Sequence, residues 1–257
     1  MKRTGRLVSV LSIALLVGVS ALAQTATGNG RYDQQISQEV QKYLHGDKKL
    51  AGVQASVNEG IVTLTGRVDL YLDKANAEEK LRHKDHVAGI NNQVEVAGKA
   101  VLDSQLSEKI ADRLRYDRID MGQMFNNFTI GVKDGVATVS GKVRSYPDKT
   151  SALYIVESTP GVKGVVEKIE VLPNSIMDDE LRVRIARAIY RKLPPNYAND
   201  PQAPIRIVVD NGHVSLYGVV NSLVDRQVAD MQARNVSGVF SVEDHIVVDS
   251  GNERAKK

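Results

Sequence analysis

Apolar residues recur along this chain at two alternating periods. At i, i+4 and i+8 they form single stripes, Ile36/Val40/Leu44, Leu106/Ile110/Leu114 and Leu181/Ile185/Ile189, which predict three amphipathic helices. Each stripe is followed by two runs of period two. The first runs are Val53/Ala55/Val57, Phe128/Ile130/Val132 and Ile205/Ile207/Val209. The second are Val62/Leu64/Val68, Ala137/Val139/Val143 and Val214/Leu216/Val220. Between the two runs sit Glu59-Gly60, Asp134-Gly135 and Asn211-Gly212, and the last two are preferred tight-hairpin dipeptides, because both central residues of such a turn need positive φ. A second short helix follows, carrying Ala77/Leu81, Ala152/Val156 or Ala229/Ala233. A final apolar run closes each unit.

The pattern is one unit written three times. Gly60-Ile61-Val62-Thr63-Leu64-Thr65-Gly66, Gly135-Val136-Ala137-Thr138-Val139-Ser140-Gly141 and Gly212-His213-Val214-Ser215-Leu216-Tyr217-Gly218 align without gaps. The register holds through Val94-Glu95-Val96, Ile169-Glu170-Val171 and Ile246-Val247-Val248. A helical crossover returns the chain in its original direction, so the last strand is expected to be parallel to the second. The prediction is an α+β protein of three tandem αββαβ two-layer sandwich modules, each a three-stranded mixed sheet covered on one face by two helices. The modules are placed at 33–98, 101–173 and 176–249, with a charged tail over 250–257. Asp73, Asp148 and Asp225 are read as N-caps of the second helices. Gly66, Gly141 and Gly218 are read as points where a helix approaches the sheet closely. The linkers Gly98–Leu102 and Pro173–Ile176 are short, which predicts docked modules.

Residues 1–23 read as an export signal. Lys2, Arg3 and Arg6 precede an apolar run from Leu7 to Val19, and Ala21-Leu22-Ala23 supplies small residues for cleavage after Ala23. That run is shorter than the roughly 20 residues needed to cross a bilayer. The full chain of 257 residues carries 34 basic and 31 acidic side chains. The three basic residues of the leader account for the whole excess, so the exported chain is neutral and its charge gives no reason to expect nucleic acid as a partner. With no cysteine, disulfides, thiolate metal sites and thiol nucleophiles are excluded.

The unit resembles the BON domain, on the hairpin-and-glycine pattern above together with the closing segments Gly161-Val162-Lys163-Gly164-Val165 to Ile169-Glu170-Val171 and Gly238-Val239-Phe240-Ser241-Val242 to Ile246-Val247-Val248. Copy one departs from the pattern with His86 in place of the glycine, which suggests a looser end to its second helix. The resemblance implies an exported, non-enzymatic module of the bacterial periplasm and cell envelope, with phospholipid as the proposed partner and envelope integrity and osmotic stress as the setting.

No nucleophile elbow, phosphate loop, dinucleotide fingerprint or His-Glu-Xaa-Xaa-His motif is present. His83 and His86 stand at i, i+3, a spacing that suits two metal ligands or a solvated helix end, and neither histidine recurs in the other copies. No catalytic residue, metal or cofactor is therefore assigned. Two surfaces of copy three are candidates instead. The first is a basic helix face, Arg182, Arg184, Arg187, Arg191 and Lys192, suited to an anionic lipid or other envelope surface, unless Asp178, Asp179 and Glu180 neutralise it. The second is an apolar group, Val208, Tyr217, Val219 and Val247, at sheet positions that are polar in copies one and two. It suits docking within the chain, a protein partner or a homo-oligomer, and it keeps open an interaction or chaperone-like scaffold as the alternative function. The segment Met121-Gly122-Gln123-Met124-Phe125, beside Arg113, Arg115 and Arg118, is either an apolar membrane-facing tip or a loop tucked against a neighbouring module.

Overall fold

The computed structural model describes residues 30–98, 101–116, 123–198, 200 and 204–249. The export signal, Arg118, Met121, Gly122 and the charged tail lie outside these residues.

Module one contains α1 (Asp33–Gly46), β1 (Val53–Asn58), β2 (Ile61–Val68), α2 (Tyr71–Arg82), β3 (Gly89–Asn92) and β4 (Glu95–Val96). Module two contains α3 (Asp103–Tyr116), β5 (Asn127–Lys133), β6 (Val136–Val143), α4 (Tyr146–Glu157) and β7 (Gly164–Val171). Module three contains α5 (Ile176–Lys192), the short α6 (Pro195–Ala198), β8 (Ile205–Asp210), β9 (His213–Val220), α7 (Leu223–Arg234) and β10 (Ser241–Val248). In every module the first two strands pair antiparallel and the last strand pairs parallel to the middle one, as the repeat pattern predicts. Module one differs in having its last strand split into β3 and β4. The predicted helix stripes are all buried, and each module closes its own core.

The hairpin turns have positive φ at both central residues, 52° and 78° at Glu59-Gly60, 55° and 78° at Asp134-Gly135, and 50° and 78° at Asn211-Gly212. Each turn is gripped from the first helix. Asp33 accepts the N–H groups of Glu59 and Gly60, Asp103 those of Asp134 and Gly135, and Asp178 those of Asn211 and Gly212, all at 2.7–3.0 Å. The aspartate stands three residues before the first apolar residue of every stripe.

Two local expectations are corrected. Ser145 and Ser222, not the aspartates, are the N-caps of α4 and α7. Asp148 and Asp225 sit at the third helical position, where the serine hydroxyl accepts their N–H and donates to their carboxylate. In module one the cap position is Leu70, which has no side-chain oxygen, and its carbonyl accepts the Asp73 N–H at 3.2 Å. The strand glycines do not make room for a helix. Gly66, Gly141 and Gly218 have φ of 108°, 137° and 135°, and a Cβ there would stand 2.0 Å from the carbonyl oxygen of Gly52, Asn127 or Pro204, at the start of the neighbouring first strand. α2, α4 and α7 each have 12 residues. His86 itself adopts a φ of 64° and stacks on Tyr32, ring centres 3.7 Å apart.

The modules touch. Tyr71 of module one packs against the core of module two, and Met124 and Phe125 of module two pack against the core of module three. Lys142 reaches Asp210 at 3.6 Å across the second junction.

Candidate functional site

The basic helix face is positioned by the N-terminus of α5. Ser175 caps the helix through the Asp178 N–H, and Asp178 ties the first turn to the β8–β9 hairpin. Along α5 the five candidate cations divide. Arg182 is 2% exposed; it donates to the Val209 carbonyl at 2.6 Å and pairs with Asp179. It is therefore a structural cation, and its placement on the binding surface is corrected. The cause is its neighbourhood: Arg182 sits beside Leu181 at the margin of the apolar stripe, where the guanidinium can fold under the helix to a strand carbonyl.

Arg184, Arg187, Arg191 and Lys192 are exposed, and none has an ion-pair partner among the described residues. Of the acids that could neutralise the row, Asp178 is engaged with the hairpin and Asp179 with Arg182, while Glu180 is exposed and forms no ion pair among the described residues. Arg184 donates to the Ser237 carbonyl at 3.0 Å, which anchors it over the turn that follows α7. Seven-residue steps advance an α-helix by nearly two full turns, so Met177, Arg184 and Arg191 form one line along α5.

At the start of that line the module ends in an apolar tip. Phe240 is 76% exposed, packs against the hairpin at Gly212 and lies 6.0 Å from the His213 ring. Met177, 80% exposed, stands one residue before the aspartate that holds the same hairpin. The residue equivalent to Phe240 is Ala88 in module one and Lys163 in module two, each beside its own hairpin glycine. Neither Phe240 nor Met177 was selected from the sequence. A position-by-position comparison of the three copies contains the signal for Phe240, since only copy three places a large apolar side chain there.

The apolar group on the other sheet face does not act as one patch. Val208 is 2% exposed, on a strand against which the 3₁₀ turn Gln123–Phe125 packs. Tyr217 is half-buried and stacks on His245 at 4.8 Å, whereas Val219 and Val247 are 48% and 60% exposed. Met124 and Phe125 thus belong to the junction, and Arg113 donates to the Ile155 carbonyl, Ser158 and Thr159.

A cleft of about 640 Å³ also opens between modules two and three, with Arg115, Asn127, Arg206, Tyr217, Asn221 and Asp249 among its walls. Its mixed charge contrasts with the unneutralised flank of α5. On the same helix, burial pushes the Tyr190 hydroxyl up to about 12, and that hydroxyl bonds both the N–H and the carbonyl of Ile205. His83 lies 3.0 Å from Glu79 while His86 stacks on Tyr32, so the two imidazoles serve different partners.

Comparison with known proteins finds no match among curated sequences. Among solved structures, the chain is similar to CdsD, a structural protein of the type III secretion system of Chlamydia trachomatis, at 13% identity over 86% of this chain and 96% of that one, with a TM-score of 0.25. It is similar to the PrgH periplasmic domain at 12% identity over 82% of this chain and 100% of that one, with a TM-score of 0.18. Likenesses at this level do not bear on function. The BON domain model, by contrast, matches three times in tandem, over residues 32–98, 102–173 and 182–250, and the chain belongs to the BON domain family.

Proposed function

We propose that this is an exported, non-enzymatic protein of the bacterial cell envelope that docks reversibly on anionic lipid through the tip and the α5 flank of module three, in a role in envelope integrity under osmotic stress. The observation that carries this reading is the pairing of exposed Phe240 with the unneutralised cations led by Arg184. Burying a phenylalanine side chain contributes roughly 1.5–3 kcal/mol. Each cation near an anionic surface adds about 1 kcal/mol. A few such terms give peripheral binding that salt can reverse, and no helix among the described residues is long and apolar enough to cross a membrane.

The test is co-sedimentation of the leaderless protein with phosphatidylglycerol-containing vesicles and with pure phosphatidylcholine vesicles over a salt series. Binding selective for the anionic vesicles, weakened by salt and by either Phe240→Ser or Arg184→Gln, is expected. Equal binding to both vesicles, or variants that bind like the parent, would overturn the proposal. The scaffold alternative draws its support from exposed Val219 and Val247. It predicts self-association that Val219→Thr with Val247→Thr abolishes, read by sedimentation velocity.

A further inference from the structure

The outer edge of the first strand is finished differently in the three modules. In module three Tyr190 bonds both the N–H and the carbonyl of Ile205, Arg182 bonds the Val209 carbonyl, and the turn Gln123–Phe125 packs against β8 as well. In module one Gln41 donates to the Ala55 carbonyl at 3.5 Å. Module two lacks these groups. The helix residue equivalent to Gln41 is Ala111, which has no donor, and the equivalent of Arg182 is Ser107, whose hydroxyl makes no hydrogen bond among the described residues. By strand register Phe128 matches Ile205, and Ile130 matches Ala55. Antiparallel pairing turns both main-chain groups of alternate residues off the sheet. The N–H and carbonyl of Ile130 therefore point away from β6, and no side chain bonds them among the described residues.

This stretch of edge borders the cleft between modules two and three. Ser107, Ala111, Phe128 and Ile130 line it from module two, and Tyr217 and Val219 line it from the open sheet face of module three. We propose that the cleft is a docking site for an extended segment of another protein. The segment joins module two as a fourth strand along β5, bonding main chain to main chain at Ile130 and laying alternate side chains on Tyr217 and Val219. Strand addition of this kind takes its affinity from main-chain hydrogen bonds and its specificity from alternate side chains. The volume of about 640 Å³ lies within the range of roughly 300–1,000 Å³ that ligand sites occupy. The side chains of Asn127, Asn196 and Asn221 also line the cleft and make no hydrogen bond among the described residues, which suits them to the outward main-chain groups of an added strand. Arg115 and Arg206 are matched in the walls by Asp200 and Asp249, so the site fits an uncharged segment with an apolar residue at every second position. Neither Phe240 nor Arg184 lines the cleft, and the proposal stands apart from the lipid reading.

The probe is a panel of fluorescein-labelled peptides, capped at both ends and matching the seven residues of β5 in length, with valine, isoleucine or tyrosine alternating with threonine or serine. They are titrated into the full-length leaderless protein and read by fluorescence anisotropy. Saturable binding is expected, weakened roughly tenfold or more when the peptide nitrogens along one edge are methylated. Ala111→Gln restores the amide that module one uses at Ala55, so it should occupy the Ile130 carbonyl and weaken binding to a similar degree, while Phe240→Ser should leave it unchanged. Far-UV circular dichroism checks that each variant is folded, and bound peptide should slow hydrogen exchange at the Ile130 amide. The proposal is overturned by no saturable binding up to about 1 mM peptide, by binding that methylation or Ala111→Gln leaves unaltered, or by binding of chitotriose with none of the peptides.

Discussion

The carboxylate of Asp178 receives the Gly212 N–H at 3.0 Å, joining the first turn of α5 to a hairpin 34 residues further along the chain. Its other oxygen takes the Asn211 N–H, so two turn amides that no ladder partner can reach are satisfied by one buried side chain. Loss of such an acceptor costs about 1–3 kcal/mol, because the amides stay buried. Asp178→Ala is therefore expected to lower the unfolding free energy of module three by that amount, read as a lower denaturant midpoint with an unchanged slope, and the equivalent change at more exposed Asp33 to cost less.

The strand glycines make a sharper demand. A Cβ at Gly218 would meet the Pro204 oxygen at 2.0 Å on backbone that L-residues rarely adopt. Gly218→Ala is expected to cost about 3 kcal/mol or more, through strain that cannot be relieved without moving the strand start. Gly131→Ala, where nothing lies within 4 Å of the added carbon, is the control and should change stability by roughly 0.5 kcal/mol or less. Equal effects at the two positions, measured by urea unfolding, would contradict the assignment.

Arginines on α5 should separate by effect. Arg182→Gln removes a buried cation from the Val209 carbonyl and is expected to cost about 1–3 kcal/mol of stability while leaving vesicle affinity of the folded protein unchanged. Changing Arg184, Arg187 and Arg191 together to Gln should leave the melting temperature nearly unaltered. At about 1 kcal/mol per charge, it should weaken binding to phosphatidylglycerol vesicles by roughly a hundredfold.

Tyr190 contributes to the alkaline limit of module three. Its hydroxyl is pushed up to about 12 in the fold against an ordinary value of 10.0, first by burial and with the Ile205 hydrogen bond opposing. The unfolded chain therefore loses this proton first as pH rises. The contribution to stability is complete below pH 10 and is lost between about pH 10 and 12, to a total on the order of 2 kcal/mol. Thermal melts from pH 8 to 12 should show this decline, and Tyr190→Phe should reduce it, leaving the smaller share of Tyr197, whose hydroxyl burial also raises, at the expense of about 1 kcal/mol at neutral pH from the lost hydrogen bonds.

How far the sequence disclosed these features depends on how local each one is. The helix stripes, strand alternation and hairpins depend on neighbours within a few residues and on a pattern repeated three times, so they were legible. Ser145 and Asp148, three residues apart, are both good cap residues, and only the backbone dihedrals decide between them. Arg182 reads as one more surface cation until the Val209 carbonyl, 27 residues away, is placed beneath it. The strand glycines stand out in the repeat, but the first-strand carbonyl that excludes a Cβ there is a contact across the sheet that no local pattern reveals. Phe240 was visible as a difference among copies, and its exposure required the fold.

The split outer strand of module one also bears on how the protein avoids polymerising. β3 and β4 are separated at Gln93-Val94, where the Asn92 side chain binds the Lys74 carbonyl and receives the Val94 N–H. A sheet edge recruits a foreign strand through an unbroken row of free amides and carbonyls, and a kinked edge offers no such template. β10 at the other end of the chain is a continuous eight-residue edge. Of the three closing strands only that of module one is therefore blunted, while β7 and β10 each keep an unbroken eight-residue edge on which a foreign strand could pair.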